Sequence, residues 1–400
     1  ELAGGPCTVI GHGATATAAT AAWINGTAAH TLELDDAYRE GVIHPGSPAI
    51  TAAIALAELT DASGRDLLNA IVVGYEVATR VSAAVAPSHV RYFHATGTIG
   101  CIGAAAAAAM ILTPRDRDAI RNAMAIATTF ASGLQQTLRA ETMTKPLHAG
   151  HPASVGVRAA QMAACGVNGA PDILEGEFGL GAAMADACDW TKVTEGLGER
   201  YNIGRITQKI HACCGHSFTS IDATLALREQ HALAPEDIRT IDVTTSQVAL
   251  DATSRFEPRT PYEAKFSLPY VVSHAIVHGA VPLDAFSPER LGSPAVRDLM
   301  RRVRLHEDPA LTAGFPGRRG ARVAIERHGG ERVSHFAPIR RGDPEMPMSD
   351  ADLQRKFDGL CVPVIGAAAA RALGERVRSL EALGVRELGL GEIAGARATR

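Results

Sequence analysis

Up to about residue 205 the chain is written in one texture: small residues, alanine above all, with apolar positions at helical spacing. The stretches "TATAATAAWINGTAAHTLEL" (14–33), "AITAAIALAEL" (49–59) and "DLLNAIVVGYEVATRVSAAV" (66–85) carry that spacing, as does the alanine run after His94. Further helical patterns cover 115–131 and 148–164, and breakers such as "TPRD", "NGAPD" and "EGEFGLG" separate them. Aromatic residues make up only 4% of a chain whose apolar fraction is 46%. A core of this composition must form by helices approaching closely through small side chains. The nearest thing to a membrane span, "GTIGCIGAAAAAAMIL" (97–112), is short and mostly alanine and glycine, too weak a drive for insertion. It reads as a buried helix.

Near residue 205 the texture changes. "IRTIDVTTSQVAL" (238–250) alternates and is rich in Ile, Val and Thr, as a strand is, and "ARVAIERHGGERVSHF" (321–336) reads as a hairpin around "HGGE". Helical patterns at 216–231 and 264–279 lie between them. After "RRGDPEMPMSDADLQRKF", where Ser349 is placed to cap a helix, alanine-rich helices return through about residue 382. The 400 residues suffice for two domains. The expected fold is mainly α with an inserted α+β domain: residues 1–205 and 346–400 form a discontinuous helical domain, and 206–345 the insertion.

Several function classes drop out. The formal net charge is −4 and no basic block is interleaved with aromatics, so a nucleic-acid partner is not expected. The seven cysteines follow no disulfide framework, and the opening "ELAGGPCTVIG" has neither a basic start nor an apolar core segment. A reducing cytoplasm is the expected location, and the lack of an initiator Met points to a missing N-terminal stretch. No phosphate loop, dinucleotide fingerprint, HExxH or paired CxxC occurs. "KIHACCGHS" (209–217) is the best metal candidate, but adjacent cysteines chelate one ion poorly. Neither metal nor cofactor is expected.

What remains is a set of polar residues in segments that otherwise suit a core. His44 of "GVIHPGSPAI" stands before Pro-Gly, where a turn requires no imidazole; Asp35 and Asp36 just before it read as a helix end and a solvated turn. His94 and Thr96 precede an apolar helix whose free N–H groups can hold an anion. Lys145 lies in "ETMTKPLHAGH", Lys209 and His216 flank a small-residue turn, and Tyr270 falls inside an apolar helical run where a buried phenol needs a partner. Imidazoles, ammonium groups and a phenol suit proton transfer beside a carboxylate, with cationic groups stabilising the developing enolate charge.

The order "AAWINGTAAHTLELDD…HPGSPA", "GYEVATRV…FHATGTIGCIGAAAAAA", "SGLQQT…TKPLHAGHPASVGVRAAQMA", "ILEGEFG", "KIHACCGHSFTSIDA", "EAKFSLPY" and "GDPEMPMSDADLQRKF" resembles the MmgE/PrpD family over nearly the whole chain. The resemblance implies opening helices ahead of this stretch, which this chain is expected to lack. The resemblance implies a large helical domain built from both chain ends, a smaller α+β lid domain, and a homodimer. It implies a cleft lined by His44, His94, Lys145, His216 and Tyr270, with Lys209 and Cys213 or Cys214 alongside. Glu33 stands where family members carry Asp. Glu33, Thr96, Lys209 and Cys213 are the expected substrate-binding residues, and the first five the catalytic ones.

The expected activity is that of a cofactor-independent lyase acting on a small di- or tricarboxylate, of the 2-methylcitrate dehydratase or cis-aconitate decarboxylase kind. Epimerisation of a dicarboxylate such as iminodisuccinate is the runner-up. A non-catalytic helical dimer is the rival from another class, and it requires the named residues to be dispersed. No membrane partner is expected.

Overall fold

The computed structural model describes residues 4–139, 142–315 and 317–393. The protein is mainly α-helical with a small mixed sheet, and it divides into two compact units. Unit 1 comprises Glu1–Thr31, Asp35–Ile206 and Leu353–Arg400; unit 2 comprises Leu32–Leu34 and Thr207–Asp352.

Unit 1 opens with a hairpin of β1 (Cys7–Val9) and β2 (Ala14–Ala16), then runs through α1 (Ala18–Thr31), α2 (Gly46–Thr60), α3 (Gly64–Val85), α4 (Ala95–Thr98), α5 (Gly100–Leu112), α6 (Arg117–Thr128), α7 (Gln136–Arg139) and α8 (Leu147–Ala164). The hairpin takes three residues that the periodicity assigns to the first helix. Side-chain caps set two of the starts: Ser63 Oγ accepts the Asp66 N–H, and Asp116 accepts the N–H groups of Asp118 and Ala119. The alanine-rich helix is buried, as its composition requires, with Ala104–Ala109 at most 1% exposed.

Small residues let these helices touch backbone to backbone. A Cβ on Gly103 of α5 would lie 2.6 Å from the Gly74 carbonyl of α3, and one on Gly150 of α8 would lie 2.3 Å from the Trp23 carbonyl of α1. α3 and the segment Ala95–Leu112 are apolar and long enough to cross a membrane, yet most of each is buried inside the protein, as in a core helix. A buried ion pair ties the 193–202 loop to α3. Arg80 Nε donates to Glu76 Oε2 at 2.9 Å, while its other nitrogens reach the carbonyls of Val193, Glu195 and Arg200.

Unit 2 is built on a four-stranded sheet in the order β4 (Val303–Glu307), β3 (Ile238–Thr245), β5 (Ala321–Arg327), β6 (Arg332–Ala337); β3 and β4 are parallel and the other pairs antiparallel. The core collects Phe218, Ile221, Leu227, Ile241, Val243, Leu268, Val271 and Ile325. Two expected elements are shorter than their patterns. β3 stops at Thr245 because Ser246 caps a helix over Gln247–Thr253, accepting the Ala249 N–H. The 264–279 helix breaks at Phe266; Ser267 then caps Leu268–His278, which ends at Gly279 with φ 73°. Ser349 does cap Asp350–Ile365, its hydroxyl accepting the Asp352 N–H at 3.2 Å.

Candidate active site

The turn that carries His44 is closed by a bridge between Tyr38 and Ile43. The His44 N–H donates to Thr96 Oγ1 at 3.1 Å, and the ring Nδ1 donates to the Asp36 carbonyl at 2.8 Å. Pro45 then leads into α2, and Gly46 is demanded by packing. A Cβ there would lie 2.3 Å from Asp36 Oδ1 and 2.4 Å from the Tyr75 hydroxyl. The proline and glycine therefore serve the turn and a close approach, and both ends of His44 are held from opposite sides.

Around this ring unit 1 assembles three more imidazoles. His30, at the end of α1, is fully buried; its Nδ1 donates to Asp35 Oδ2 at 2.6 Å, and the same oxygen accepts Ser47 Oγ at 3.0 Å. His44 Nδ1 lies 3.4 Å from that oxygen too. The His30 ring centre is 4.8 Å from that of His44 and 6.0 Å from that of His94. His94 Nδ1 faces His148 Nδ1 at 3.0 Å, so one of the two rings must carry its proton there.

Around His94 and His148 the electrostatics favour neutral rings and an incoming anion. Burial, and then the Lys145 ammonium and the neighbouring imidazoles, hold His94 well below the usual imidazole range. His148 is lowered to about 4, again chiefly by burial, with His30, His151 and Lys145 adding repulsion. Lys145 itself is buried. Asp36 moves the other way: burial and the adjacent Asp35 charge raise its carboxyl to about 7, against a hydrogen bond with Tyr75. The reading of Asp35 and Asp36 as a solvated turn is thus overturned. Their side chains turn inward because His30, His44, Ser47 and Tyr75 offer them partners.

Thr96 is fully buried and sits in the first turn after His94, whose carbonyl accepts the Gly97 and Thr98 N–H groups. Its hydroxyl is engaged by the His44 backbone, so in this arrangement it positions the histidine.

The other expected residues belong to unit 2. Glu33, with a left-handed backbone at φ 59°, pairs with Lys209 at 3.2 Å, both side chains only 5% exposed. Beside them the Lys265 ammonium donates to the Leu32 carbonyl at 2.9 Å. Burial and the neighbouring Cys214 push the Cys213 thiol well up, against the opposing pull of Lys209 and Lys265. His216 is lowered to about 3 by burial and by Arg319, Arg340 and Lys209. Arg340 is in turn clamped by Asp343, with contacts of 3.1 and 2.6 Å. In "KIHACCGHS", His211 is bound to Asp222 at 3.1 Å. Tyr270 lies in the core of unit 2, fully buried, with its hydroxyl donating to the Ala285 carbonyl at 2.5 Å. That carbonyl is the partner a buried phenol requires.

Comparison with known proteins decides the family. Residues 2–192 match the MmgE/PrpD N-terminal domain, and residues 211–382 match the MmgE/PrpD C-terminal domain. The chain belongs to the MmgE/PrpD family. It is 29% identical to the cis-aconitate decarboxylase-like protein oryM of Aspergillus oryzae, over 94% of this chain and 82% of that protein. It is 28% identical to human cis-aconitate decarboxylase over 91% of this chain and 76% of the relative, and 29% identical to the mouse enzyme over 84% and 70%.

In this MmgE/PrpD protein, sequence reasoning passed over two members of the unit 1 cluster. His148 stands three residues from a candidate lysine, at the opening of α8, where the pattern marks it only as a helix start. His30 hides in an alanine-rich helix; its one signal is the carboxylate five residues on, in "HTLELD".

Proposed function

We propose that this protein is a cofactor-independent lyase acting on a small di- or tricarboxylate, by proton transfer at a carbon next to a carboxylate. The single observation that carries the reading is the crowd of mutually repelling basic groups in unit 1. His30, His44, His94 and His148 lie ring against ring, with Lys145 depressing His94. A polyanionic substrate relieves that repulsion, and in doing so raises the proton affinity of the depressed His94 and His148 rings. Neutral imidazoles accept a proton at once, and the same rings, recharged beside the bound anion, return one. Lys145 then stabilises the electron pair left when a bond beside the carboxylate breaks.

Decarboxylation, the reaction named for the relatives, follows this scheme most directly. The C–C bond to the departing carboxylate breaks, its pair delocalises into the neighbouring unsaturated acid as an enolate-like anion, and an imidazolium gives a proton to carbon. Dehydration uses the same groups in the other sense: a neutral ring takes the proton α to a carboxylate, and an imidazolium protonates the departing hydroxyl, which leaves as water.

The test is the purified protein with cis-aconitate, 2-methylcitrate and iminodisuccinate, each followed by NMR in deuterated water. Turnover of cis-aconitate with one deuterium in the product is expected. Exchange and epimerisation of iminodisuccinate alone would replace the lyase by an isomerase. No turnover or wash-in with all three would remove the polycarboxylate reading.

A further inference from the structure

We propose that His94 and His148 form a proton relay, in which the half-buried His148 ring carries protons between solvent and the buried His94 ring. The inference deepens the lyase reading by giving His148 a task. What the protons are used for rests on that reading, whereas the path rests on the contact between the two rings.

Each ring is placed by its backbone. His94 is 6% exposed and precedes α4, whose residues Ala95–Thr98 are buried. His148 opens α8 next to a segment that reaches the surface, where Met143 is 92% and Leu147 38% exposed. Gly97 lets the two elements meet: a Cβ there would lie 3.4 Å from His148 Cβ and 2.5 Å from the Ser132 carbonyl oxygen. The ring centres are 5.2 Å apart and the two Nδ1 atoms 3.0 Å apart, a hydrogen-bond separation.

This contact has two proton arrangements. With the shared proton on His94, His94 Nε2 is a base and His148 carries its other proton on Nε2. A proton taken from substrate at His94 Nε2 makes that ring an imidazolium. Its Nδ1 proton then crosses to His148 Nδ1, and His148 releases its Nε2 proton to water. One proton has entered, one has left, and both rings are neutral again with the shared proton on His148. Run backward, the same steps deliver a solvent proton to carbon. Burial lowers both rings, and Lys145 and His30 repel the charged form of each. His44 adds repulsion at His94 and His151 at His148, so neither ring traps the proton.

Hydrogen exchange of the His94 ring proton, followed by NMR on the ¹⁵N-histidine-labelled full chain, is the test. His148→Asn keeps an acceptor where Nδ1 stood but cannot take up the proton and pass it on; His148→Phe keeps only the ring shape. Exchange is expected to slow by about 100-fold in both variants, the low end of what a positioned acid–base group contributes. Loosening of the fold speeds exchange instead, so a merely structural His148 is told apart by the sign, and circular dichroism melts check that each variant folds. In the unaltered chain the two Nδ1 atoms should show a coupling across the shared proton, a readout that decides even where a variant fails to fold. The inference is overturned by the absence of that coupling, or by exchange in either folded variant that is unchanged, faster, or slowed by less than about tenfold. None of these readouts depends on turnover, so failure of the lyase reading leaves the test intact.

Discussion

Asp35→Asn is the most informative single change, because it alters charge and hydrogen-bond direction while hardly changing shape. The carboxylate accepts from His30 Nδ1 at 2.6 Å and Ser47 Oγ at 3.0 Å, and it lies 3.4 Å from His44 Nδ1, all through one oxygen. Asparagine keeps one acceptor oxygen and places an NH₂ group where the second oxygen stood. If the oxygen faces His30, the contact survives as a neutral bond; if the NH₂ faces it, the ring must surrender its Nδ1 proton and take the Nε2–H tautomer. A hydrogen bond to a charged group is worth about 1.5–3 kcal/mol against about 1 for a neutral one. The variant should therefore lose about 1–2 kcal/mol of unfolding free energy. Where that bond also organises the proton-transfer step, each 1.4 kcal/mol is a factor of ten, so kcat/KM should fall roughly five- to thirty-fold. Urea unfolding reads the first quantity, and ¹⁵N-histidine NMR reads the tautomer of His30 directly. An unchanged His30 tautomer, with stability preserved to within about 0.5 kcal/mol, would refute the claim that Asp35 holds the ring.

Three further expectations concern stability. His148, His216 and His274 are lowered to about 4, 3 and 4, chiefly by burial, so the folded protein binds fewer protons than the unfolded chain below the usual imidazole pKa near 6.5. Their contribution is fully present above that pH and is lost as pH falls toward 3–4. Asp36, raised to about 7, runs the opposite way, its cost growing as pH rises from about 4 to 7. With the depressed imidazoles outnumbering the one raised carboxyl, urea midpoints should fall between pH 6.5 and 4, and His148→Gln should flatten that slope; a midpoint rising on acidification would contradict the assignment. Gly103→Ala should cost about 1–3 kcal/mol, since its Cβ would lie 2.6 Å from the Gly74 carbonyl; a thermal melt at the parental temperature would show that α3 and α5 can part freely. Lys209→Met should destabilise by about 3–5 kcal/mol by removing the ammonium paired with the buried Glu33 carboxylate, and Glu33→Gln on top of it should recover much of that loss; additive losses would show that the pair is not coupled.

What could be read in advance follows from where the information resides. Helix periodicity is local, so α2, α3 and α8 lie where their apolar spacing puts them, and the β5–β6 hairpin sits on its alternating pattern. Capping decisions are local too but narrower: one serine, Ser246, turns the last third of an apparent strand into a helix, and Ser267 divides an apparent single helix in two. The site is different in kind. His44 could be singled out because a turn does not need imidazole, whereas His30 could not, since a histidine in an alanine helix gains meaning only when Asp35 folds back onto it. The carboxylates carried the same ambiguity. A polar pair after a helix is usually solvated, and these two are drawn inward because His30, His44, Ser47 and Tyr75 meet them there. Gly46 records that meeting most sharply. Its missing Cβ is the space that Asp36 and Tyr75 occupy, so the glycine of the "HPG" motif is as much a mark of the buried carboxyl as of the turn. A Gly46→Ala variant should therefore disturb the acid–base cluster before it disturbs the turn, lowering the raised Asp36 pKa as the carboxyl is pushed toward water.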